Sequence, residues 1–215
     1  MPLEVQQLPL GPFQSNCYVV RRPGADETVV VDPGWPGEVE RIQAALAGAG
    51  CAAILVTHGD LDHIGGVVEL VEVTGAPVHM PSLERDRLER PGNYIPDGIE
   101  ASLRGHRPEV LLEGGEELEL AGISFATLSV PGHTAGHLAF AAEDCVFSGD
   151  VLFAGSVGRT DREGGDWDAL LESIRLLVDS LPPETIVYPG HGPATTLGQE
   201  LAANPFLAEL RAAGP

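Results

Sequence analysis

The run Thr57-His58-Gly59-Asp60-Leu61-Asp62-His63 follows directly on the apolar stretch Ala53-Ile54-Leu55-Val56, and this junction constrains the fold more than any other part of the chain. A short continuous apolar run bounded by turn signals reads as a buried strand. The side chains that come next are imidazoles and carboxylates, which a protein interior accepts only when they are paired or bind an ion. His58, Asp60, Asp62 and His63 do not share one helical face, so the segment reads as a loop that curls around ions at a strand end.

Three later elements repeat the arrangement: Pro131-Gly132-His133, Ser148-Gly149-Asp150 and Pro189-Gly190-His191. Each places a candidate ligand after a glycine, which lets the backbone turn sharply and aim a short side chain into a shared site. The candidate set is therefore His58, Asp60, Asp62, His63, His133, Asp150 and His191. Zinc takes about four ligands and keeps one position open when catalytic, so seven side chains suit two divalent metals that share a carboxylate.

Other chemistries are excluded by what the chain lacks. All twelve basic residues are arginine, which removes the lysine of a phosphate-binding loop and any Schiff-base mechanism. Gly155-Ser156-Val157-Gly158 has the wrong spacing for a nucleophile elbow. A net charge of −20 repels nucleic acid and anionic membrane surfaces, so neither is expected as a partner. No apolar stretch approaches the ~18 residues that span a bilayer. Met1 to Gln14 has neither a basic start nor an apolar run, and the expected location is the cytoplasm. Cys17, Cys51 and Cys145 form no close pair, and each reads as a small buried residue.

The 215 residues suit one domain, 1–215, built of two βα halves at about 1–115 and 116–215. In the first half, strands are expected at 17–20, 28–31, 53–56 and 77–80, with helices at 38–49 and 64–73. The stretch from Pro81 to Gly115 loses regular periodicity apart from a charged helical turn or two at 82–90. A segment of that kind reads as a lid or binding loop. The second half is expected to hold a hairpin at 117–120 and 123–129, strands at 137–141, 145–148 and 186–188, and a helix at 167–181 capped by Asp166. A last helix at 197–210 is broken near Pro205. The outcome is an α/β layered fold with strands at its centre.

Thr57 to His63 resembles the THxHxDH motif of the metallo-β-lactamase-fold hydrolases, with Asp60 standing where that motif has its second histidine. The words Val130-Pro131-Gly132-His133-Thr134-Ala135-Gly136-His137, Phe147-Ser148-Gly149-Asp150, Gly155-Ser156-Val157-Gly158-Arg159-Thr160-Asp161 and Tyr188-Pro189-Gly190-His191-Gly192 are similar to the glyoxalase II-like branch in order and spacing. The resemblance implies a four-layer αβ/βα sandwich, two mixed sheets flanked by helices, with metals at one edge. It also implies that His58, residue 60 and His133 hold the first metal and that Asp62, His63 and His191 hold the second. Asp150 would bridge, and Asp62 and Asp150 would be the catalytic carboxylates. Only Gly192 to Pro215 follows the last ligand, so the helical region with which glyoxalase II enzymes grip glutathione is not expected.

The expected activity is that of a binuclear metallohydrolase, zinc-dependent or mixed zinc and iron, on a small acyl substrate such as a hydroxyacylglutathione thioester. Two alternatives stand beside it. One is a mononuclear-iron persulfide dioxygenase using His58, His133 and Asp150; the other is a ligand-binding member without turnover, its first site spoiled by Asp60. Asp60 reads equally as a ligand or as a spectator facing solvent. Asp32, in a Val31-Asp32-Pro33-Gly34 turn, is expected to support the ligand loops, and His137 to stand behind the ligands. His79 and His106 read as structural or exposed, and Glu113 to Glu119 as a solvated hairpin edge. Arg159 either touches substrate or pairs with Asp161, and Tyr188 is a candidate substrate contact. A homodimer is the default assembly.

Overall fold

The computed structural model describes residues 2–95, 99 and 103–213. The first sheet runs in the order β1 (Glu4–Leu10), β2 (Ser15–Arg21), β3 (Glu27–Val31), β4 (Gly50–Leu55), β5 (Val78–Pro81) and β6 (Val110–Leu112). Its first three strands pair antiparallel and the rest parallel, so the sheet is mixed. The second sheet is built from β7 (Glu117–Leu120), β8 (Ile123–Ser129), β9 (Leu138–Ala142), β10 (Cys145–Gly149), β13 (Ile186–Pro189) and β14 (Thr195–Thr196). A separate ribbon pairs β11 (Leu152–Phe153) with β12 (Ser156–Val157).

Period-2 alternation sorts the strand side chains into three cores. Tyr18, Val29, Val31 and Leu55 of the first sheet meet Phe125, Phe140 and Phe147 of the second in the central layer. Their neighbours along the strands, Cys17, Val30 and Ile54, point the other way and pack with Ile42 and Leu46 of α1 (Val39–Leu46) and Val67 and Leu70 of α3 (Val67–Thr74). On the outer face of the second sheet, Ala139, Val146 and Val187 pack with Leu170, Ile174 and Leu177 of α5 (Trp167–Ser180) and Leu197 of α6 (Leu197–Ala203). Two apolar-faced mixed sheets covered by helices give the expected four-layer sandwich.

Local differences from the sequence reading have physical causes. The single helix expected at 64–73 is split into α2 (Leu61–Ile64) and α3 at Gly65-Gly66. Both glycines lie so close to Pro36 and to the Pro33 backbone that no Cβ fits. The last helix is interrupted as expected: α6 ends before a 3-10 turn at Pro205–Leu207, and α7 (Ala208–Ala213) follows. β1 and β6 are strands that alternation did not reveal. Within the irregular stretch after β5, a 3-10 turn at Ser82–Glu84 leads into α4 (Arg85–Glu89), and residues 96–98 and 100–102 lie outside the described residues.

Asp166 caps α5 as expected, accepting a hydrogen bond from the Ala169 N–H at 2.9 Å. Asp166→Ala is expected to cost about 1 kcal/mol of stability, read as a lower urea midpoint with an unchanged slope.

Candidate metal centre

All seven candidate ligands converge where strands of the two sheets end. His58 follows β4 after two residues, Asp62 and His63 lie on α2, and His133 sits in the turn beyond β8. Asp150 follows β10 and His191 follows β13 after Gly190. Chain geometry enforces the approach. Gly149 has φ of 49°, and a Cβ there would meet Thr57 Oγ1 and the His137 ring. A Cβ on Gly190 would overlap Asp150 Oδ1, and one on Gly132 would overlap the Leu170 backbone of α5. The two sheets are tied together here, since the Asn16 N–H donates to the Gly190 carbonyl at 2.7 Å and the Leu138 N–H to the Thr57 carbonyl at 2.9 Å.

Each imidazole ligand is held by its Nδ1. Asp32 Oδ2 lies 2.9 Å from His63 Nδ1, and Thr57 Oγ1 lies 3.0 Å from His58 Nδ1. The carbonyls of Arg159 and Phe13 lie 2.8 Å from His133 Nδ1 and 3.2 Å from His191 Nδ1. A proton held on Nδ1 leaves Nε2 as a lone-pair donor aimed inward. Asp32 does more than orient His63, because its oxygens also accept from the Thr57 N–H at 2.8 Å and the Thr57 hydroxyl at 2.7 Å. The turn expected to support the ligand loops does so through these three bonds.

The inward atoms form two triads. His58, Asp60 and His133 present one, and Asp62, His63 and His191 the other. In the first, Asp60 Oδ2 stands 3.4 Å from His133 Nε2 and 4.0 Å from His58 Nε2. In the second, Asp62 Oδ2 stands 3.3 Å from His191 Nε2 and 3.9 Å from His63 Nε2. Asp150 lies between them, with Oδ1 3.4 Å from His63 Nε2 and Oδ2 3.5 Å and 3.7 Å from the Nε2 atoms of His191 and His133. A tetrahedral ion with bonds of about 2.0–2.1 Å holds its donors roughly 3.3–3.4 Å apart, so these spacings match cation-sized gaps. His58 Nε2, His63 Nε2, His133 Nε2 and Asp150 Oδ1 are buried and make no hydrogen bond. Such orphaned atoms are costly unless something binds them, and a divalent cation fits this donor set.

Electrostatics divides the imidazoles. Burial, with the His63 and His137 imidazoles nearby, pushes His58 well below the ordinary histidine value. His63 is buried too, but Asp150, Asp32 and Asp62 outweigh that penalty and raise it well above the ordinary value. Burial would raise the Asp150 carboxyl; His63, His191 and His58 instead hold it far below its usual range. At His191 burial opposes the charge, yet Asp150 and Asp62 raise its pKa to about 9. A histidine raised in the folded state contributes stability that is fully present below its unfolded value near ~6.5 and is lost as pH rises through the folded value. Chelator-stripped protein is therefore expected to lose thermal stability between pH 6.5 and 9. The loss should be smaller in His191→Gln, and melting curves across that window measure the difference.

His137 stands behind the ligands as expected, with its ring stacked on His58 at 4.6 Å and its Nε2 accepting the Asp150 N–H at 3.0 Å. Burial, with His133 beside it, pushes its pKa down to about 3, so it is a neutral acceptor that fixes the Asp150 backbone. Arg159 pairs with Asp161 at 2.6 Å. Tyr188 stacks on Phe147 at 5.3 Å in the central layer and does not line the cavity over the metal centre, which overturns its reading as a substrate contact.

Asp60 does not face open solvent. Its side chain is 13% exposed, and while Oδ2 faces the first triad, Oδ1 accepts from Arg87 Nη1 at 3.0 Å. Burial would raise its carboxyl, but His133 and Arg87 outweigh that and hold it below the usual range. Arg87 is braced by Glu84, whose Oε2 lies 3.2 Å from Nε. Buried Glu84 also accepts the Gly59 N–H at 3.3 Å and the Gly136 N–H at 3.1 Å, joining the loop of His58 to the turn of His133. Sequence reasoning missed both residues; four charges in a row at Glu84-Arg85-Asp86-Arg87 signal only a solvated turn.

A cavity of about 580 Å³ opens over the candidate metal centre, lined by Phe13, Tyr94 and Ile95 as well as by Arg87, Arg159 and Arg162. Among the described residues, no helix is long and apolar enough to cross a membrane.

Known proteins resemble this chain in sequence and fold. Residues 10–191 match the metallo-β-lactamase superfamily. The hydroxyacylglutathione hydrolase GloC of Haemophilus influenzae is 36% identical over 219 residues, covering 95% of this chain and 98% of that one. The crystal structure of BLEG-1, a B3 metallo-β-lactamase, superposes with a TM-score of 0.88 at 39% identity, covering 95% of this chain and all of that one. The di-iron-bound form of TTHA1623 does so with a TM-score of 0.80 at 40% identity, covering 94% and 100% of the two chains. With its fold, its motif order and its convergent ligands in agreement, the chain belongs to the metallo-β-lactamase superfamily.

Proposed function

We propose that this protein is a binuclear metallohydrolase that cleaves a small acyl substrate, foremost a thioester of the hydroxyacylglutathione type. The observation that carries the reading is the pair of three-donor clusters on either side of Asp150, whose carboxylate faces His63 and His191 of one and His133 of the other. In this reading His58, Asp60 and His133 hold one divalent metal, Asp62, His63 and His191 hold the other, and Asp150 touches both. Zinc suits the imidazole-rich set, and iron suits its carboxylates. When bound, the metals supply Lewis acidity that lowers the pKa of water at the site toward ~7 and polarises the substrate carbonyl.

The chain's own residues do the rest. Asp32, Thr57 and the carbonyls of Phe13 and Arg159 keep the four imidazoles in one orientation, which avoids reorganisation during turnover. His137 and the close backbone of Gly190 lock Asp150 in place. Phe13, Tyr94 and Ile95 offer an apolar surface to the acyl group, while half-exposed Arg159 and Arg162 offer charge to an anionic thiol moiety. The likeness to GloC of Haemophilus influenzae supports this choice of substrate class. Zinc-loaded protein is expected to release thiol from a hydroxyacylglutathione, to stop after chelation and to resume on zinc addition. Thiol release that ignores chelator, or none at all, rejects the reading.

A second reading, a mononuclear-iron persulfide dioxygenase, is favoured by one observation: His58, His133 and Asp150 stand together while Asp60 is already engaged by Arg87. Oxygen uptake by the iron-loaded protein with glutathione persulfide would support it, and no uptake would exclude it.

A further inference from the structure

The two triads have the same composition, two imidazoles and one carboxylate, yet they differ in what stands behind the carboxylate. The ion pairs of Asp62 among the described residues are with the imidazoles of His63 and His191. Asp60 instead has one oxygen held from behind by the Arg87 guanidinium at 3.0 Å. Arg87 is built in. Glu84 Oε2 braces its Nε at 3.2 Å, the guanidinium lies 5.0 Å from the centre of the Tyr94 ring, and Gly59 lies so close to its stem that a Cβ there would meet Cδ at 2.5 Å. Glu84 is itself anchored by the Gly59 and Gly136 N–H groups, so the brace cannot swing away without breaking buried bonds. Arg162 also approaches Asp60, with Nη1 3.7 Å from Oδ2, but its side chain is about half exposed and water screens it.

We infer that Arg87 makes the two cation sites unequal: by neutralising Asp60 from behind, it weakens the His58, Asp60 and His133 site, so the Asp62, His63 and His191 site fills first. This inference rests on the binuclear reading above. The Arg87 guanidinium stays charged when a cation enters, whereas the partners of Asp62 are the imidazoles of His63 and His191, which give up their protons to bind it. A fixed unit charge a few ångströms from a divalent ion, at an effective dielectric constant of about 20, changes affinity by at least about tenfold. The chain thus holds a standing cation where a metal would otherwise meet an uncompensated carboxylate.

The test is a zinc titration of the metal-free chain against a chromophoric chelator, which reads affinity without reading turnover. Wild type is expected to show two classes of one zinc each, at least about tenfold apart. His133→Ala is expected to lose the weaker class and keep the tighter one. Arg87→Met is expected to tighten the weaker class about tenfold or more and to leave the tighter one within about threefold, whereas Arg87→Lys, which keeps the charge, stays near wild type. Should Arg87→Met fail to fold because Glu84 is left unpaired, Arg87→Gln, whose amide still donates to Glu84 but carries no charge, has the same expectation. Equal affinities in wild type, or a weaker class that is unchanged or loosened once Arg87 is removed, overturn this inference and leave the binuclear reading standing. A chain that binds no zinc overturns both.

Discussion

Replacing Asp150 with alanine is expected to lower kcat/KM for metal-dependent turnover by about 10³-fold or more, equivalent to roughly 4 kcal/mol of transition-state stabilisation. Asp150 is 9% exposed, and its oxygens face His63, His133 and His191 at 3.4 to 3.7 Å. Alanine removes the negative charge between the two triads and a carboxylate that faces both. Both kinetic and binding measurements register the change: turnover with a thioester falls, and bound metal falls with it. A variant that keeps wild-type turnover would place the chemistry elsewhere.

Gly190→Ala carries the other large effect, through space alone. Its added methyl group would overlap Asp150 Oδ1 and press on His63 Cε1, so it intrudes between two ligands of opposite charge. The backbone has little freedom to retreat, since the Gly190 N–H donates to the Gly149 carbonyl at 2.8 Å and its own carbonyl accepts from Asn16 at 2.7 Å. We expect a loss of about 1–3 kcal/mol in the metal-free protein, as for other overpacked sites. The displacement of Asp150 should also cost at least about tenfold in metal affinity, as when a ligand's support is removed. Denaturant melts and chelator competition on the same sample separate the two effects. Wild-type values in both would mean that the close approach has no bearing on the site.

The legible parts of the molecule are those where local pattern and tertiary role coincide. β2, β3 and β4 show apolar runs because both faces of each strand are covered, one by helices and one by the other sheet. β1 has Gln6, Gln7 and Pro9 along a strand whose faces are mostly half exposed, and β6 is three residues inside an irregular stretch, so neither announced itself. The seven candidate ligands stood out because they cluster in four segments that follow strands, and four of them come directly after a glycine. The family resemblance then supplied the sandwich. The partners of the ligands divide in the same way. Asp32 stood in a recognisable turn, whereas Glu84 and Arg87 act on Gly59, Asp60 and Gly136, residues that only the fold brings near. A charged stretch with no periodicity hides such contacts, because its side chains look the same whether they face water or a buried carboxylate.

Asp60 shows what the fold added to the motif. From sequence it was equally a ligand or a spectator. Its oxygens are divided between Arg87 on one side and His133 on the other, so the shorter carboxylate is placed to serve the first triad while a guanidinium balances its charge.

Elemental analysis of the protein after loading with zinc and removal of excess ion, with thioester hydrolysis assayed on the same sample, tests the two-metal site. About two metal ions per chain are expected, together with chelator-sensitive thiol release. Fewer than one ion per chain, with no hydrolysis, would contradict this expectation.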